Sequence, residues 1–168
     1  MSLHSELLAQ AQFLVRREPR RPRQASLRRA VSAAYYALFH LLIYEAARQY
    51  VKDDAILFLI NRTYSHNSMN KVSKSFARGD LPKKFDPIKA ATVVPSELKD
   101  VAQAFVDLQQ ARHEADYNLG KSFSRSEALT LIGQATKAFQ DWGRIRNHDL
   151  SKLYLACFLL WDDWDKAR

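Results

Sequence analysis

The sequence predicts an all-α protein that folds as an up-and-down helical bundle, and three observations support this class. Glycine and proline are scarce, with 4 and 5 copies among 168 residues, so long helices are seldom interrupted. Apolar residues recur every three or four positions, which is the period of a helix buried on one face. Strand-like alternation bounded by turn dipeptides is hard to find. The chain length fits a single domain over 1–168.

The N-terminal half predicts two helices separated by prolines. The first covers residues 2–17, and Pro19 and Pro22 follow it. Ser26 is expected to cap a long second helix. Residues 30–44 of that helix are apolar nearly all round but fall short of the roughly 20 residues of a membrane span. We therefore expect the central helix of the core and no membrane association.

The middle of the chain predicts two short helices and the start of a long one. Asp53 is expected to open a helix over AILFLINR. Ser65 is expected to cap the next helix, and Gly79 to end it. Residues 80–94 then form a loop with two prolines, before a helix over about 95–117.

The C-terminal part predicts two further helices, which makes six or seven in all. Ser124 and Glu127 form a capping box for a helix that ends near residue 146. The last helix, about 149–165, is so rich in large apolar residues that two of its faces look apolar. We expect one face to pack on the bundle and the other on a second subunit, giving a homodimer.

Positive charge is concentrated in one segment. The net charge is +8, and residues 16–29 hold seven arginines against one acidic residue. The two prolines keep this segment extended, so Arg20, Arg21 and Arg23 are expected to face a polyanion such as RNA or DNA. The alternative is a solvated, arginine-rich loop.

Several classes of function lack their sequence signals. The chain has no glycine-rich phosphate loop, no paired cysteines and no H-E-x-x-H, and its histidines are not spaced as metal ligands. We expect no metal and no cofactor. The single cysteine, Cys157, makes a reducing compartment the default, and the N-terminus lacks a secretory signal pattern. Both features favour a cytoplasmic location.

Arg112 occupies an unexpected place in the helix pattern. It continues an apolar stripe of the 95–117 helix, with Ala115 next, after Leu98, Val101, Phe105 and Leu108. A guanidinium on a core-facing stripe is costly unless it is paired. Arg112 is therefore either in a structural ion pair, with Asp116 or Glu45, or a clamp for a phosphate.

Four other side chains are candidates for a site. Tyr117 follows Arg112 by five positions, about 140° around a helix, so the two share a site only at a helix end or across a dimer axis. The alternative for Tyr117 is a core tyrosine. His66 is either a proton-transfer group or phosphate ligand, or a local hydrogen-bonding partner. Tyr36 and His40 share a face, either as core residues or as the polar lining of a cleft.

Three segments together resemble the HEPN superfamily, the "higher eukaryotes and prokaryotes nucleotide-binding" domains. They are RRAVSAAYYALFHLL, YSHNSMNKVSKSFARGDLPKK and LQQARHEADYNLGKSFSRSEALTLIGQATKAF. The order of a paired tyrosine, a histidine at a helix start and an R-x-x-A-D-Y sequence is similar to small bacterial and archaeal HEPN proteins. The resemblance covers about residues 25–142, and the helix at 149–165 lies outside it as an accessory element.

The resemblance implies a HEPN-like bundle of four or five core helices that is commonly dimeric. Many HEPN proteins are metal-independent ribonucleases of toxin–antitoxin or defence systems, and some pair with a small nucleotidyltransferase. Their motif is an arginine and a histidine with four to six residues between them. Here Arg112 matches the arginine, Tyr117 stands where the histidine is expected, and His66 matches the histidine of the subfamily. A tyrosine, with a pKa near 10, is a poor proton shuttle at neutral pH.

Three functions follow from these observations. We expect first an RNA- or nucleotide-binding protein without strong catalytic activity. The alternatives are a metal-independent endoribonuclease that uses Arg112 with His66 or Tyr117, and an interaction module for a nucleotidyltransferase. The expected binding residues are Arg112, Asp116, Tyr36, His40, Arg20, Arg21 and Arg23.

Overall fold

The computed structural model describes residues 2–89 and 93–166, and over these ranges the protein is an all-α helical bundle without strands. The predicted fold class is confirmed. The helices are α1 (Leu3–Leu14), α2 (Gln24–Arg48), α3 (Asp54–Asn61), α4 (His66–Arg78), α5 (Asp86–Lys89), α6 (Ser96–Tyr117), α7 (Arg125–Ile145) and α8 (Asp149–Lys166), with a 3₁₀ turn at Lys83–Phe85.

Several helix ends follow from local capping chemistry, as predicted. The Asp53 carboxylate accepts hydrogen bonds from the amides of Ala55 and Ile56, and the Ser65 hydroxyl accepts one from Ser68. These side chains satisfy amides that have no partner inside the helix. Gly79 ends α4 with a φ of 70°, in the left-handed region that glycine tolerates best.

Two local predictions are wrong. Ser26 does not cap α2, because the helix begins two residues earlier at Gln24 and the Ser26 hydroxyl donates to Glu18 at 2.9 Å. The segment 80–94 is not entirely a loop, since its described part contains the 3₁₀ turn and α5. At the second place, Asp86 and Pro87 are signals of a helix start that the loop interpretation overlooked.

The chain divides into two compact units. The first contains Met1–Leu41 and Ala104–Gln140, and the second contains Leu42–Gln103 and Asp141–Arg168. Three helices, α2, α6 and α7, contribute residues to both. The core of the first unit is formed by the predicted apolar stripes, which include the buried residues Leu27, Val31, Ala34, Leu38, Phe105, Leu108, Ala128 and Ala135.

In the second unit, α4 packs against α8. Phe76 lies 5.0 Å from Tyr154 between ring centroids, and the hydroxyl groups of Ser73 and Tyr154 are 2.7 Å apart. Trp161 and Trp164 both pack against Phe85 of the 3₁₀ turn. None of the described large apolar side chains of α8 is exposed. Leu153, Leu159, Leu160 and Trp164 are half-buried, so the second apolar face is only partly covered within this chain, and its contact with another subunit stays a prediction.

The central helix α2 is buried as predicted. By length and composition it is the one helix among the described residues that could cross a membrane, but 78% of its most apolar 18-residue window is buried inside the protein. The core helix of a soluble protein meets the same criterion.

Candidate functional site

A row of polar side chains runs along one line of the otherwise apolar helix α2. Arg28, Ser32, Tyr36 and His40 follow each other at intervals of four, so they lie on one face. Within the first unit, the first three of them form hydrogen bonds to the C-terminal half of α6 or to the residues that follow it. A polar row between two packed helices is the most unusual feature of this unit.

Arg112 of α6 is held by two partners. Its Nη2 donates to the Tyr36 hydroxyl at 2.8 Å. Its Nε lies 2.8 Å from Asp116 Oδ2, which makes an ion pair, although the N–H direction is not aligned for a hydrogen bond. The structural interpretation of a pair with Asp116 is thus confirmed, whereas Glu45 pairs with Arg146 instead, at 3.1 Å.

The contacts with Tyr36 and Asp116 do not use all the hydrogen-bond donors of Arg112. Asp116 is shared, since its Oδ1 also accepts a hydrogen bond from Ser32 at 2.5 Å. The side chains of Arg112 and Asp116 keep 17% and 23% of their exposure. Among the described residues, Nη1 of Arg112 has no hydrogen-bond partner. The guanidinium is therefore oriented by protein groups while part of its fork still faces solvent.

The guanidinium of Arg112 keeps its positive charge. Burial lowers the pKa of Arg112, but the oxygens of Tyr36, Asp116 and Tyr117 raise it by more, so the pKa lies above its ordinary value. Arg112 is charged at every physiological pH and matches the geometry of a phosphate.

Tyr117 joins this cluster because it is the last residue of α6. Its ring centroid lies 5.4 Å from Cζ of Arg112, and 63% of the residue is exposed. The core interpretation of Tyr117 is wrong, and the expected condition for a shared site, a helix end, is met. The ring of His113 lies 5.2 Å from that of Tyr117 and is a site residue that the sequence analysis missed.

Arg28 is a second site residue that could not be recognised individually in the sequence, because there it is one of seven arginines in the basic segment 16–29. Its guanidinium donates to the carbonyls of Ala115 at 2.8 Å, of Asn118 at 3.0 Å, and of Lys121. These carbonyls lie at and beyond the end of α6, where no helical amide reaches them. Arg28 therefore positions the end of α6 that carries Arg112 and Tyr117. Arg28 lies four residues before Ser32 and therefore on the same helix face, and this spacing was the feature of the sequence that could have identified it.

The other arginines of residues 16–29 are exposed. Arg17 lies 3.8 Å from Glu18, a long ion-pair distance. For the expected binding residues Arg20, Arg21 and Arg23, and for Arg29, no ion pair is formed with any described residue. Exposed charges of this kind agree both with binding of a polyanion and with the alternative of a solvated, arginine-rich loop, so the binding role of this segment stays a prediction.

A cleft of about 460 Å³ separates α1 from the start of α2. Tyr36 lines it and also binds Arg112, so the cleft borders the Arg112 cluster. His40 is half-buried, with its ring 6.3 Å from that of Tyr36. Tyr36 and His40 were expected to be either core residues or the polar lining of a cleft, and Tyr36 is a lining residue of the cleft.

His66 is the first residue of α4 and belongs to the second unit, whereas Arg112, Asp116 and Tyr117 belong to the first. Cys157 is buried, and this burial raises the pKa of its thiol to about 12, so it remains protonated and is no nucleophile. Within the described ranges, no group of three or more His, Cys, Asp or Glu side chains is arranged to hold a metal ion.

The chain matches no protein-family model, and no curated protein or solved structure shows significant similarity to it.

Proposed function

We propose that this chain is an RNA-binding protein of the HEPN type, in which Arg112 holds a backbone phosphate. The observation that carries the proposal is the braced guanidinium, since Tyr36 and Asp116 fix its orientation while Nη1 keeps its donors for a ligand. A guanidinium held in place loses little side-chain entropy when it binds an anion.

Two further features support a polyanionic ligand. The net charge is +8, and Arg20, Arg21, Arg23 and Arg29 have no ion-pair partner among the described residues of the same unit. Such charges displace the counterions of a nucleic-acid backbone, which favours binding without sequence preference.

The HEPN resemblance supports the same proposal. It covers α2, α4, α6 and α7, and it matches Arg112 to the phosphate-binding arginine of the family. Tyr117 in place of the usual histidine favours binding over strong catalysis. The proposal includes a cytoplasmic homodimer in a toxin–antitoxin or defence system, with a nucleotidyltransferase as the partner protein.

Binding of a labelled, single-stranded RNA at several salt concentrations tests the proposal. Arg112→Ala should weaken binding by about tenfold or more, because a charge-assisted hydrogen bond contributes about 1.5–3 kcal/mol. It should also reduce the slope of log K against log salt by about 0.7. The matched control is Arg78→Ala, an exposed arginine in the second unit. The proposal would be contradicted if the RNA affinity of the wild type did not change with salt concentration. It would also be contradicted if Arg112→Ala and Arg78→Ala lost the same amount of RNA affinity.

One observation favours a ribonuclease as a second candidate. The ring pair of His113 and Tyr117 places an imidazole beside the Arg112 cluster. Attack of the RNA 2′-hydroxyl on phosphorus breaks the P–O5′ bond and leaves a 2′,3′-cyclic phosphate and a 5′-hydroxyl. His113 would take the proton of the attacking hydroxyl, Tyr117 would protonate the leaving oxygen, and Arg112 would stabilise the added negative charge.

Cleavage of structured RNA with and without EDTA separates the two candidates. A ribonuclease should cut in EDTA, and His113→Ala and Arg112→Ala should both lose the cyclic-phosphate product while they remain folded. If the wild type binds without cutting and Tyr117→His gains cleavage, the binding function stands. Cleavage that survives Arg112→Ala would exclude this site as its source.

A further inference from the structure

We infer that the cleft between α1 and α2 binds a single phosphate-bearing nucleotide, with the phosphate at the end formed by Arg17 and Arg29. The inference rests on the proposed function, because it assigns a second, more selective ligand site to the same phosphate-binding unit. The relevant ligand is a nucleoside monophosphate group, either free or at the end of an RNA.

The size of the cleft suits one nucleotide. Its volume of about 460 Å³ lies within the range of about 300–1,000 Å³ that is usual for small-ligand sites. Residues 7, 10 and 14 of α1 on one side, and 25, 29, 32 and 36 of α2 on the other, repeat every three or four positions, so each side is one helix face, and Arg17 follows three residues after the end of α1.

One end of the cleft is cationic. Arg29 is exposed and forms no ion pair with any described residue, and Arg17 has only a long contact to Glu18 at 3.8 Å. Two guanidinium groups at one mouth can bind the oxygens of a phosphate from two sides. Arg20, which belongs to the same segment and is also exposed, does not line the cleft.

The other end of the cleft suits a base and its sugar. Leu7 and Ala33 supply apolar walls for the faces of a ring, and Gln10 brings an amide that is both donor and acceptor. Along α2, Arg29 and Tyr36 are seven residues apart, about 10 Å. This length corresponds to the reach of a nucleotide from its phosphate to the far edge of its base. Tyr36 also links the cleft to Arg112 through their hydrogen bond.

The first experiment tests the role of positive charge by comparing two arginines of residues 16–29. The four nucleoside 5′-monophosphates are titrated into the wild type, Arg29→Gln and Arg20→Gln by calorimetry. Arg29→Gln should weaken binding at least tenfold, and Arg20→Gln, which removes the same charge outside the cleft, less than twofold. Equal effects of the two variants would overturn the inference.

The second experiment tests the shape of the cleft by enlarging two alanine residues, one inside the cleft and one outside it. Ala33→Leu narrows the cleft, and Ala111→Leu adds the same side chain to a different cavity of the first unit, between α6 and α7. Ala33→Leu should abolish monophosphate binding while its helical circular dichroism is unchanged, and Ala111→Leu should retain it. If Ala33→Leu does not fold, the Arg29→Gln comparison decides alone.

Linear and circular RNA of one sequence separate the two sources of the ligand. Tighter binding of linear, 5′-phosphorylated RNA, lost in Arg29→Gln, would assign the cleft to RNA ends. Monophosphate binding with equal affinity for both RNAs would assign it to free nucleotides. If monophosphates do not bind and the two RNAs bind equally, the cleft inference fails, whereas circular-RNA binding that depends on Arg112 would leave the proposed function intact.

Discussion

Two helix contacts in this protein are each centred on a tyrosine hydroxyl, and they differ in what the hydroxyl meets. In the first unit, Tyr36 of α2 accepts a hydrogen bond from the charged Arg112 of α6. In the second unit, Tyr154 of α8 pairs with the neutral hydroxyl of Ser73 on α4. Ser73 and Tyr154 are fully buried, whereas 17% of the Arg112 side chain remains exposed.

The difference separates a stabilising contact from a contact suited to binding. Two neutral hydroxyls satisfy each other in a dry core, and the favourable free energy comes mainly from the apolar surface around them. A guanidinium has five donors, more than Tyr36 and Asp116 accept, so its surplus donors must remain near water or a ligand. We therefore expect substitutions in the α4–α8 contact to change stability, and substitutions in the α2–α6 contact to change RNA affinity as well.

The largest effect on stability is expected from Phe76→Ala. Phe76 is fully buried against Tyr154, and loss of a buried aromatic ring costs about 3–5 kcal/mol through lost contacts and the cavity left behind. Urea unfolding measures this loss. Phe58→Ala, at a residue that is 62% exposed, is the control and should change the unfolding free energy little. A similar loss in both variants would mean that α4 and α8 do not form the packed contact described above.

Arg28→Met tests the clamp on the end of α6 and should destabilise the protein by about 2–3 kcal/mol. The variant removes charge-assisted bonds to the carbonyls of Ala115, Asn118 and Lys121 but retains an unbranched apolar side chain. Faster hydrogen exchange near residues 115–121 and weaker RNA binding should accompany the loss, because Tyr117 is no longer positioned. Arg23→Met is the matched control, and identical exchange in both variants would show that Arg28 has no clamping role.

A double-mutant cycle on Ser73 and Tyr154 should give an intermediate effect. Tyr154→Phe leaves the buried Ser73 hydroxyl without its partner, which costs about 1–2 kcal/mol. The double variant Ser73→Ala/Tyr154→Phe should be no less stable than Tyr154→Phe alone, because no unsatisfied group remains. RNA affinity should be unchanged in all three variants. Additive losses in the cycle would mean that the two hydroxyls do not interact.

The smallest effect is expected from acid titration of Glu127 in the first unit. Hydrogen bonds from Lys121, from the Ser124 amide and from the Ser124 hydroxyl lower its pKa to about 2. Because this value lies below that of an unfolded glutamate, about 4.3, the stabilisation is complete above that pH and is lost as the pH falls towards 2. The melting temperature should therefore fall less steeply over this range in Glu127→Gln than in the wild type. Glu6→Gln serves as the charge control, and parallel curves for wild type and Glu127→Gln would contradict the expectation.

The helices could be predicted because their signals are local. Asp53, Ser65 and Gly79 act on amides or dihedral angles within a few residues, so their roles can be recognised in the chain itself. Ser26 misled the prediction because its hydroxyl had two possible partners, a nearby amide or Glu18, and only folding decides between them.

The candidate site was predictable only in part. Arg112 stood out because a charge on an apolar stripe conflicts with burial, and Asp116 one turn away was a partner that helix geometry allows. Tyr36 joins them through a contact between residues 76 positions apart in the chain. The role of Arg28 was hidden because a clamp on distant carbonyls looks, in the sequence, like one more arginine of a basic segment.

By itself, the sequence determined the long helices, their buried faces and the places where charge conflicts with burial, because all three depend on residues at most a few positions apart. Only the tertiary structure decided which partners meet: Tyr36 with Arg112, Ser32 with Asp116, and Arg28 with the end of α6. It also decided that Trp161 and Trp164 of α8 pack against Phe85. A helical period states which face is buried, but the neighbour that buries it depends on how the whole chain packs.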